Sequence, residues 1–298
     1  MNLSSFIPAT IVALLLNLCA SMPELPEVEV TRLGIAPDLE GQRLCRAVLR
    51  TPSLRYPLPR DLEALIGDRS LQVVRRRGKY LLLDFGSGQV LLHLGMSGSL
   101  RLVPASQAPE KHDHVDLVFR VKGKEVALRL RDPRRFGALL WLPGDVATAS
   151  RHPLLAVLGI EPLSDDFTPR WLFDQTRGLT AAIKTTLMDG HRLVGVGNIY
   201  ASESLFRAGI DPRTPAGKVS LKRYERLVPA IRATLTEAIA AGGSSLRDFI
   251  HSDGSSGYFQ LQSAVYGREG APCRTCGSPI RMIRQGQRAT FYCPRCQH

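Results

Sequence analysis

Met22-Pro23-Glu24-Leu25-Pro26-Glu27-Val28-Glu29 is the stretch from which the rest of this 298-residue chain is read. A proline directly after a methionine is chemically pointed, because removing the methionine leaves a secondary amine at a chain end. Such an amine titrates near ~7.7–8.0, well below a lysine, so at neutral pH part of it is unprotonated and nucleophilic. Taken alone, Pro23-x-x-Pro26 reads equally as a loop leading into a helix. Pro26 suits a first helical position, Glu27 and Glu29 suit a helix N-terminus, and Gly34 suits its end. The pattern predicts a short helix over 26–33 that holds Pro23 and Glu24 at its mouth.

Upstream, residues 6–20 form an apolar run of signal-peptide length, too short for a comfortable membrane span. No Lys or Arg precedes it, and cleavage after Ala20 or Ser21 would expose Ser21 or Met22, never Pro23. The expectation is that translation starts at Met22 and that residues 1–21 are absent from the working protein. The alternative is a genuine extension, which would block the amine at Pro23.

The length allows two domains and a small appendage at roughly 100–200 residues per domain. A formal charge of +12 points to a polyanionic partner, nucleic acid ahead of a membrane surface. Cys273-x2-Cys276, sixteen intervening residues, then Cys293-x2-Cys296 is a four-thiolate zinc spacing that leaves no open ligand position. It implies one structural Zn2+ and a reducing compartment rather than a secreted disulfide framework. Cys19 and Cys45 stand alone, and Cys45 reads as a small buried apolar residue. Residues 266–298 contain six arginines and one acidic residue, a face suited to phosphate.

Between the ends, residues 40–143 read as strands. Val115, Leu117, Phe119 and Val121 alternate with His114, Asp116, Val118 and Arg120, and Val126, Leu128 and Leu130 continue the alternation beyond a Lys122-Gly123-Lys124 turn. Leu81-Leu82-Leu83 and Val90-Leu91-Leu92 suit buried strands. Residues 144–169, rich in Pro, Asp, Ser and Gly, read as a linker with little regular structure. Beyond them the period is helical: Ile231, Leu235 and Ile239 recur every four residues, and Gly242-Gly243 closes that helix. A capping box over Ser245–Asp248 opens another helix, and 251–264 reads as a loop. Ile280–Ile283 and Ala289–Tyr292 read as hairpin arms. Gly95-Met-Ser-Gly-Ser99 is not a hydrolase elbow, Gly195-Val-Gly-Asn-Ile-Tyr200 lacks the third glycine of a dinucleotide loop, and no Walker loop or His-Glu-x-x-His helix occurs.

His93-Leu-Gly-Met-Ser-Gly-Ser99, Lys111-His-Asp-His-Val-Asp116, Asp132-Pro-Arg-Arg-Phe-Gly137, Gly195-Val-Gly-Asn-Ile-Tyr-Ala-Ser-Glu203, Ser252-Asp-Gly254 and Gln287-Arg-Ala-Thr-Phe-Tyr-Cys293 complete the set. With Met22–Glu29 and the cysteines, in this order, the chain closely resembles bacterial formamidopyrimidine-DNA glycosylase from Met22 to His298. The resemblance implies an α+β protein: an N-terminal β-sandwich over 22–143, a linker over 144–169, a helix–two-turn–helix domain over 170–264 and a zinc finger over 265–298. It implies removal of oxidised purines from double-stranded DNA and nicking at abasic sites by β,δ-elimination, with Pro23 as nucleophile. Glu24 corresponds to the proton donor and acceptor at the sugar, Lys79 to the lysine of β-elimination, and Arg288 to the phosphate-gripping arginine of δ-elimination. Met96, Arg134 and Phe136 correspond to wedge residues, His112, Asn198 and Tyr200 to DNA contacts, and Lys184 to a lysine near the lesion pocket.

Each has a plainer reading, from helix-start charge (Glu24) to solvated strand end (Lys79), surface cation (Arg288), core residue (Met96, Phe136) or structural histidine (His112). The resemblance further implies a monomer without a membrane partner, in the bacterial cytoplasm beside the nucleoid. Leu179 and Thr180 stand where the family often has basic residues, with Arg177 the nearest cation, and Ser255–Gln260 does not fix lesion preference. A related endonuclease preferring oxidised pyrimidines, and a non-catalytic damage binder with Pro23 capped by residues 1–21, are the competing readings.

Overall fold

The computed structural model describes residues 22–243 and 263–298. The expectations for residues 1–21, Ser245–Asp248, Ser252–Gly254 and 255–260 fall outside the described residues. Helix α1 spans Leu25–Leu39, longer than the 26–33 expected, with Gly34 and Pro37 inside it. Its buried side chains, among them Leu25, Val28, Ile35 and Leu39, continue past the glycine. Burying each contributes more than the roughly 1 kcal/mol that a mid-helix glycine costs.

Eight strands follow: β1 (Leu44–Leu49), β2 (Val73–Arg77), β3 (Tyr80–Asp84), β4 (Gly88–His93), β5 (Ser99–Pro104), β6 (Asp113–Val121), β7 (Lys124–Arg131) and β8 (Ala138–Pro143). A short helix α2 (Leu62–Ile66) lies between β1 and β2. The strands form two four-stranded antiparallel sheets, ordered β1-β6-β7-β5 and β2-β3-β4-β8. The alternation read along 115–131 sends Val115, Leu117, Phe119, Leu128 and Leu130 into one core with Leu81, Leu83, Val90 and Leu92. Phe85 and Phe119 stack within it at 6.5 Å. Val121 pairs with Lys124, so Lys122-Gly123 is the two-residue turn, and both residues have the positive φ that a type I′ hairpin requires.

The segment 144–169 is not the featureless linker its composition suggests. Helices α3 (Val146–Ser150) and α4 (Pro153–Ala156) lay Ala149 and Leu155 on Leu82, Leu91 and Leu142, covering the outer face of the second sheet. The residues that read as linker are the caps: the Asp145 side chain accepts from Thr148 N, and Pro153 opens α4. Cys45 is half-buried rather than buried, packed beside Val103, Val118 and Ala127.

The second half is helical, with α5 (Pro169–Thr176), α6 (Ile183–Leu187), α7 (Asn198–Ala208) and α8 (Leu221–Ala240). Helix α8 packs on α1, α5 and α7, and stops where Gly243 N donates to Ala238 O at 2.7 Å. Both closing glycines, Gly242 and Gly243, have positive φ. The C-terminal hairpin pairs β9 (Arg281–Gln285) with β10 (Arg288–Tyr292) around Gly286-Gln287.

Candidate active site

Pro23 and Glu24 are buried where the sandwich meets the helical half. The Glu24 carboxylate reaches beyond its own helix. It crosses to the start of α7, where it accepts from Gly197 N at 2.8 Å and Ile199 N at 3.0 Å. An anion at a helix N-terminus meets unsatisfied amides and the positive end of the dipole. Two glycines make the approach possible. A Cβ on Gly197 would lie 2.3 Å from Glu24 Cδ, and one on Gly195 would lie 2.6 Å from Leu25 Cβ. Leu25 N also donates to Gly195 O at 3.0 Å.

Glu27 completes the frame. Its carboxylate accepts from Glu24 N at 2.9 Å and from Tyr200 Oη at 2.6 Å, with no exposure of its own. Burial raises the Glu24 carboxyl above the ordinary carboxylate range, against the pull of Lys79 and the α7 amides. A carboxyl raised in this way holds a proton more readily than a free glutamate, which suits a group that donates one.

Lys79 reaches the same place from a hairpin tip. Arg77 pairs with Tyr80, leaving Gly78-Lys79 as a two-residue turn, and Gly78 has the positive φ of a type II′ first position. Glu161 clamps this turn from outside the sheet. Its carboxylate accepts from Gly78 N at 2.6 Å, Arg76 Nη1 at 2.9 Å and Arg77 Nη1 at 3.2 Å. The segment carrying Glu161 is tied to the loop before α7, since Ile160 N donates to Arg192 O and Val194 N to Ile160 O. Half-buried Lys79 and buried Glu24 are therefore positioned by neighbouring parts of one loop. Burial lowers the Lys79 ammonium, Glu24 draws it back up, and Arg288 pushes it down.

Three loops at the strand ends carry the expected wedge and contact residues. Half-buried Met96 sits in 94–98, half-buried His112 in 105–112 with φ +80°, and exposed Arg134 and Phe136 in 132–137. The Arg134 guanidinium lies 4.9 Å over the Phe136 ring. Phe136 is the sole aromatic among the exposed large hydrophobic side chains of the described residues. An exposed aromatic preceded by two arginines suits a stacked base better than a core.

The expected contacts on the helices lie deeper than those on the loops. Tyr200 has no exposure and turns its hydroxyl onto Glu27, within the frame around Glu24. Lys184 and Asn198 are buried together. The Lys184 ammonium donates to Asn198 Oδ1 at 2.6 Å, Thr290 Oγ1 at 2.7 Å and Ala289 O at 3.2 Å. Burial lowers that ammonium to about 8, and it fastens α6 and α7 to β10. It also floors a cavity of about 380 Å³ whose rim includes Gln287 and exposed Arg288. Arg177 is committed elsewhere: its guanidinium donates to the carbonyls of Phe173, Ala216, Gly217 and Val219, so it does not replace the basic residues absent at 179 and 180.

The four cysteine sulfurs lie within 4.8 Å of one another, with Cys276–Cys293 at 3.5 Å and Cys273–Cys296 at 3.9 Å. Zinc–sulfur bonds of about 2.3 Å put tetrahedral sulfurs about 3.8 Å apart, so the residues fit one closed zinc site. Amides of Thr275 and Cys296 donate to Cys273 and Cys293 sulfurs, supporting thiolate charge. The module is docked on α7 by Glu203, whose carboxylate accepts from the amides of Ala264, Val265 and Tyr266.

The family models for the formamidopyrimidine-DNA glycosylase N-terminal domain, its H2TH domain, and the zinc finger found in FPG and IleRS match residues 22–139, 158–250 and 270–298. The chain belongs to the formamidopyrimidine-DNA glycosylase family. The formamidopyrimidine-DNA glycosylase of Aromatoleum aromaticum is 60% identical over 277 residues, 93% of this chain and 99% of that protein. That of Ralstonia nicotianae is 57% identical over 287 residues, covering 93% and 100%. Among solved structures, the MutM (Fpg) protein from Thermus thermophilus is 40% identical with a TM-score of 0.80, covering 92% of this chain and 98% of that one. The Lactococcus lactis Fpg, solved with DNA containing an abasic site, is 31% identical with a TM-score of 0.84, covering 92% and 99%.

Within this glycosylase-family chain, several residues that hold Glu24 and Lys79 in place escape sequence reading. Glu27 and the glycines of 195–197 stand inside quoted motifs, yet their roles depend on which backbone approaches them. Glu161 lies in the apparent linker, with no local signal at all. Among the described residues, no helix is long and apolar enough to cross a membrane.

Three outcomes follow from this geometry. Gly197→Ala puts a methyl into the Glu24 carboxylate, and misplacing a catalytic group by an ångström costs roughly a hundredfold. The single-turnover rate should fall accordingly while zinc content stays intact. His93, whose Nδ1 accepts from Gly95 N, is lowered from 6.5 to about 4 by burial and by Lys79 and Arg55. Between those values the unfolded chain binds the additional proton, so stability should rise with pH from about 4 to 6.5 and then level off. Urea midpoints across that range should show the slope, and His93→Phe should flatten it. Cys293→Ser, or chelation, should remove the zinc and the frame holding Arg288, with DNA affinity in filter binding falling at least about tenfold.

Proposed function

We propose that this chain is a bifunctional DNA glycosylase and abasic-site lyase that removes oxidised purines from duplex DNA, with the secondary amine of Pro23 as its nucleophile. The observation that carries the reading is the cradle beside Pro23, where Glu24 is buried on the N-terminus of α7 with Lys79 and Arg288 in electrostatic range. The amine adds to the sugar C1′ as the glycosidic bond breaks and the base departs with its electron pair. Glu24 supplies the proton that opens the sugar ring. The iminium so formed draws electrons from C1′ and acidifies C2′. Loss of a C2′ proton then expels the 3′ phosphate, and a second elimination expels the 5′ phosphate, leaving a one-nucleotide gap. Lys79 serves the first elimination and Arg288 holds phosphate for the second. Met96, Arg134 and Phe136 fill the stack vacated by the damaged base, whose extraction costs roughly a few kcal/mol.

The DNA partner is supported by the Lactococcus lactis relative, solved with DNA containing an abasic site and with DNA containing Fapy-dG. The free amine requires a chain beginning at Pro23. That start is supported by the family match beginning at residue 22 and by relatives matched over 99–100% of their length by 93% of this chain. A second reading rests on one fact: in the full sequence the Pro23 nitrogen is acylated by Met22, which would leave a damage binder without lyase activity. N-terminal sequencing of the purified protein should give proline at cycle one. Borohydride should then trap an adduct on a duplex carrying 8-oxoguanine, mapped to Pro23. A trapped adduct at another residue, or none from protein with a proven free Pro23, overturns the mechanism. Lesion binding without nicking by a blocked terminus supports the binder. Release of 8-oxoguanine ahead of thymine glycol supports the purine preference.

A further inference from the structure

Asp132 is buried without exposure between loops that carry the DNA-facing side chains. A carboxylate so close to a surface meant for a polyanion works against binding unless it does something else. Its contacts show what that is. Oδ1 accepts from Ser97 Oγ at 3.3 Å, in the loop of Met96. Oδ2 accepts from Gly137 N at 2.7 Å, the residue after Phe136. Its backbone N donates to His112 O at 3.0 Å, and its backbone O receives the His114 ring nitrogen at 3.0 Å. One residue thus touches all three loops.

The space around it is closed. A Cβ on Gly95 would lie 2.5 Å from Phe136 C and Gly137 N, and one on Gly137 would lie 2.8 Å from Asp132 Oδ2. The loops of Met96 and Phe136 are therefore backbone to backbone, with the carboxylate as the polar bond between them. Both oxygens engage donors from different loops, so moving either loop strips a buried charge of a partner, which is costly.

We propose that Asp132 is the positioning residue that sets Met96, His112 and Phe136 in one fixed constellation, so that base extraction from a duplex depends on it while sugar chemistry does not. The proposal rests on the wedge reading of the proposed function. Pre-organisation is the physical content: three separate loops would each have to be ordered on binding, whereas Asp132 orders them beforehand, the loops of Met96 and Phe136 through its carboxylate and that of His112 through its backbone N.

The test separates extraction from chemistry. A duplex carrying 8-oxoguanine, with 2-aminopurine opposite the lesion, needs the wedge. A single-stranded oligonucleotide with a preformed abasic site needs only the Pro23 chemistry. Asp132→Ala should slow the duplex reaction by roughly tenfold to a hundredfold and lose the 2-aminopurine rise, while nicking the single strand near the wild-type rate. Asp132→Asn should recover most of the loss, because an amide oxygen can accept from Gly137 N while its NH2 donates to Ser97. If Asp132→Ala does not fold, Ser97→Ala removes one arm and should show the same split at smaller size. Equal loss on both substrates, or no loss on the duplex from a folded variant, overturns the proposal. Failure of the underlying reading looks different: the wild-type protein would not nick the single strand, or Phe136→Ala would leave the duplex reaction and the 2-aminopurine signal unchanged.

Discussion

Everything in this molecule is referred to one buried contact, the Glu24 carboxylate on the amides that open α7. It joins the first helix of the sandwich to a helix 173 residues later in the chain, measured from Glu24 to Gly197. There the helix end supplies amides that have no other partner, which offset part of the cost of stripping the carboxylate of water. The same contact explains why 195–197 is glycine-rich: the approaching chain occupies the space a side chain would take.

Four further charges, three of them buried and Glu161 half-buried, also bind backbone. Glu161 grips the amide of Gly78, Glu203 the amides of 264–266, Asp132 the amide of Gly137, and Lys184 the carbonyl of Ala289. Each binds backbone, and all but Asp132 bind it in a different element from their own. A charge satisfied by backbone fixes the path of the chain rather than the rotamer of one partner, and leaving it unpaired is expensive. These contacts hold hairpin tips and loops, which carry the functional side chains, to an accuracy that apolar packing alone does not give.

Much of the fold is legible along the chain. Alternation over 115–131 identifies a hairpin and even its turn, because period-two burial and a Lys-Gly turn are local signals. The cysteine spacing identifies the zinc site for the same reason, since two thiolates in a short loop already converge. The helix at 25–39 reads too short from its sequence, and 144–169 reads as having little regular structure where two short helices form. In both places glycine, proline and aspartate signal an end, while burial against the sheets and α8 decides otherwise.

By itself, then, the sequence determined most of the element types, the metal site and the family, since these depend on residue chemistry and spacings within a few turns. Tertiary structure alone decided that Tyr200 faces Glu27 instead of solvent, that Arg177 is consumed by carbonyls, and that Glu161 and Asp132 act on parts of the chain distant in sequence. The physical reason is that a polar side chain shows its type in sequence but not its partner. The partner is set when long-range packing brings an unsatisfied amide or carbonyl within hydrogen-bond reach. Pro23 and Glu24 lie on both sides of that division: their chemistry is written in two adjacent letters, and their environment is made by α7.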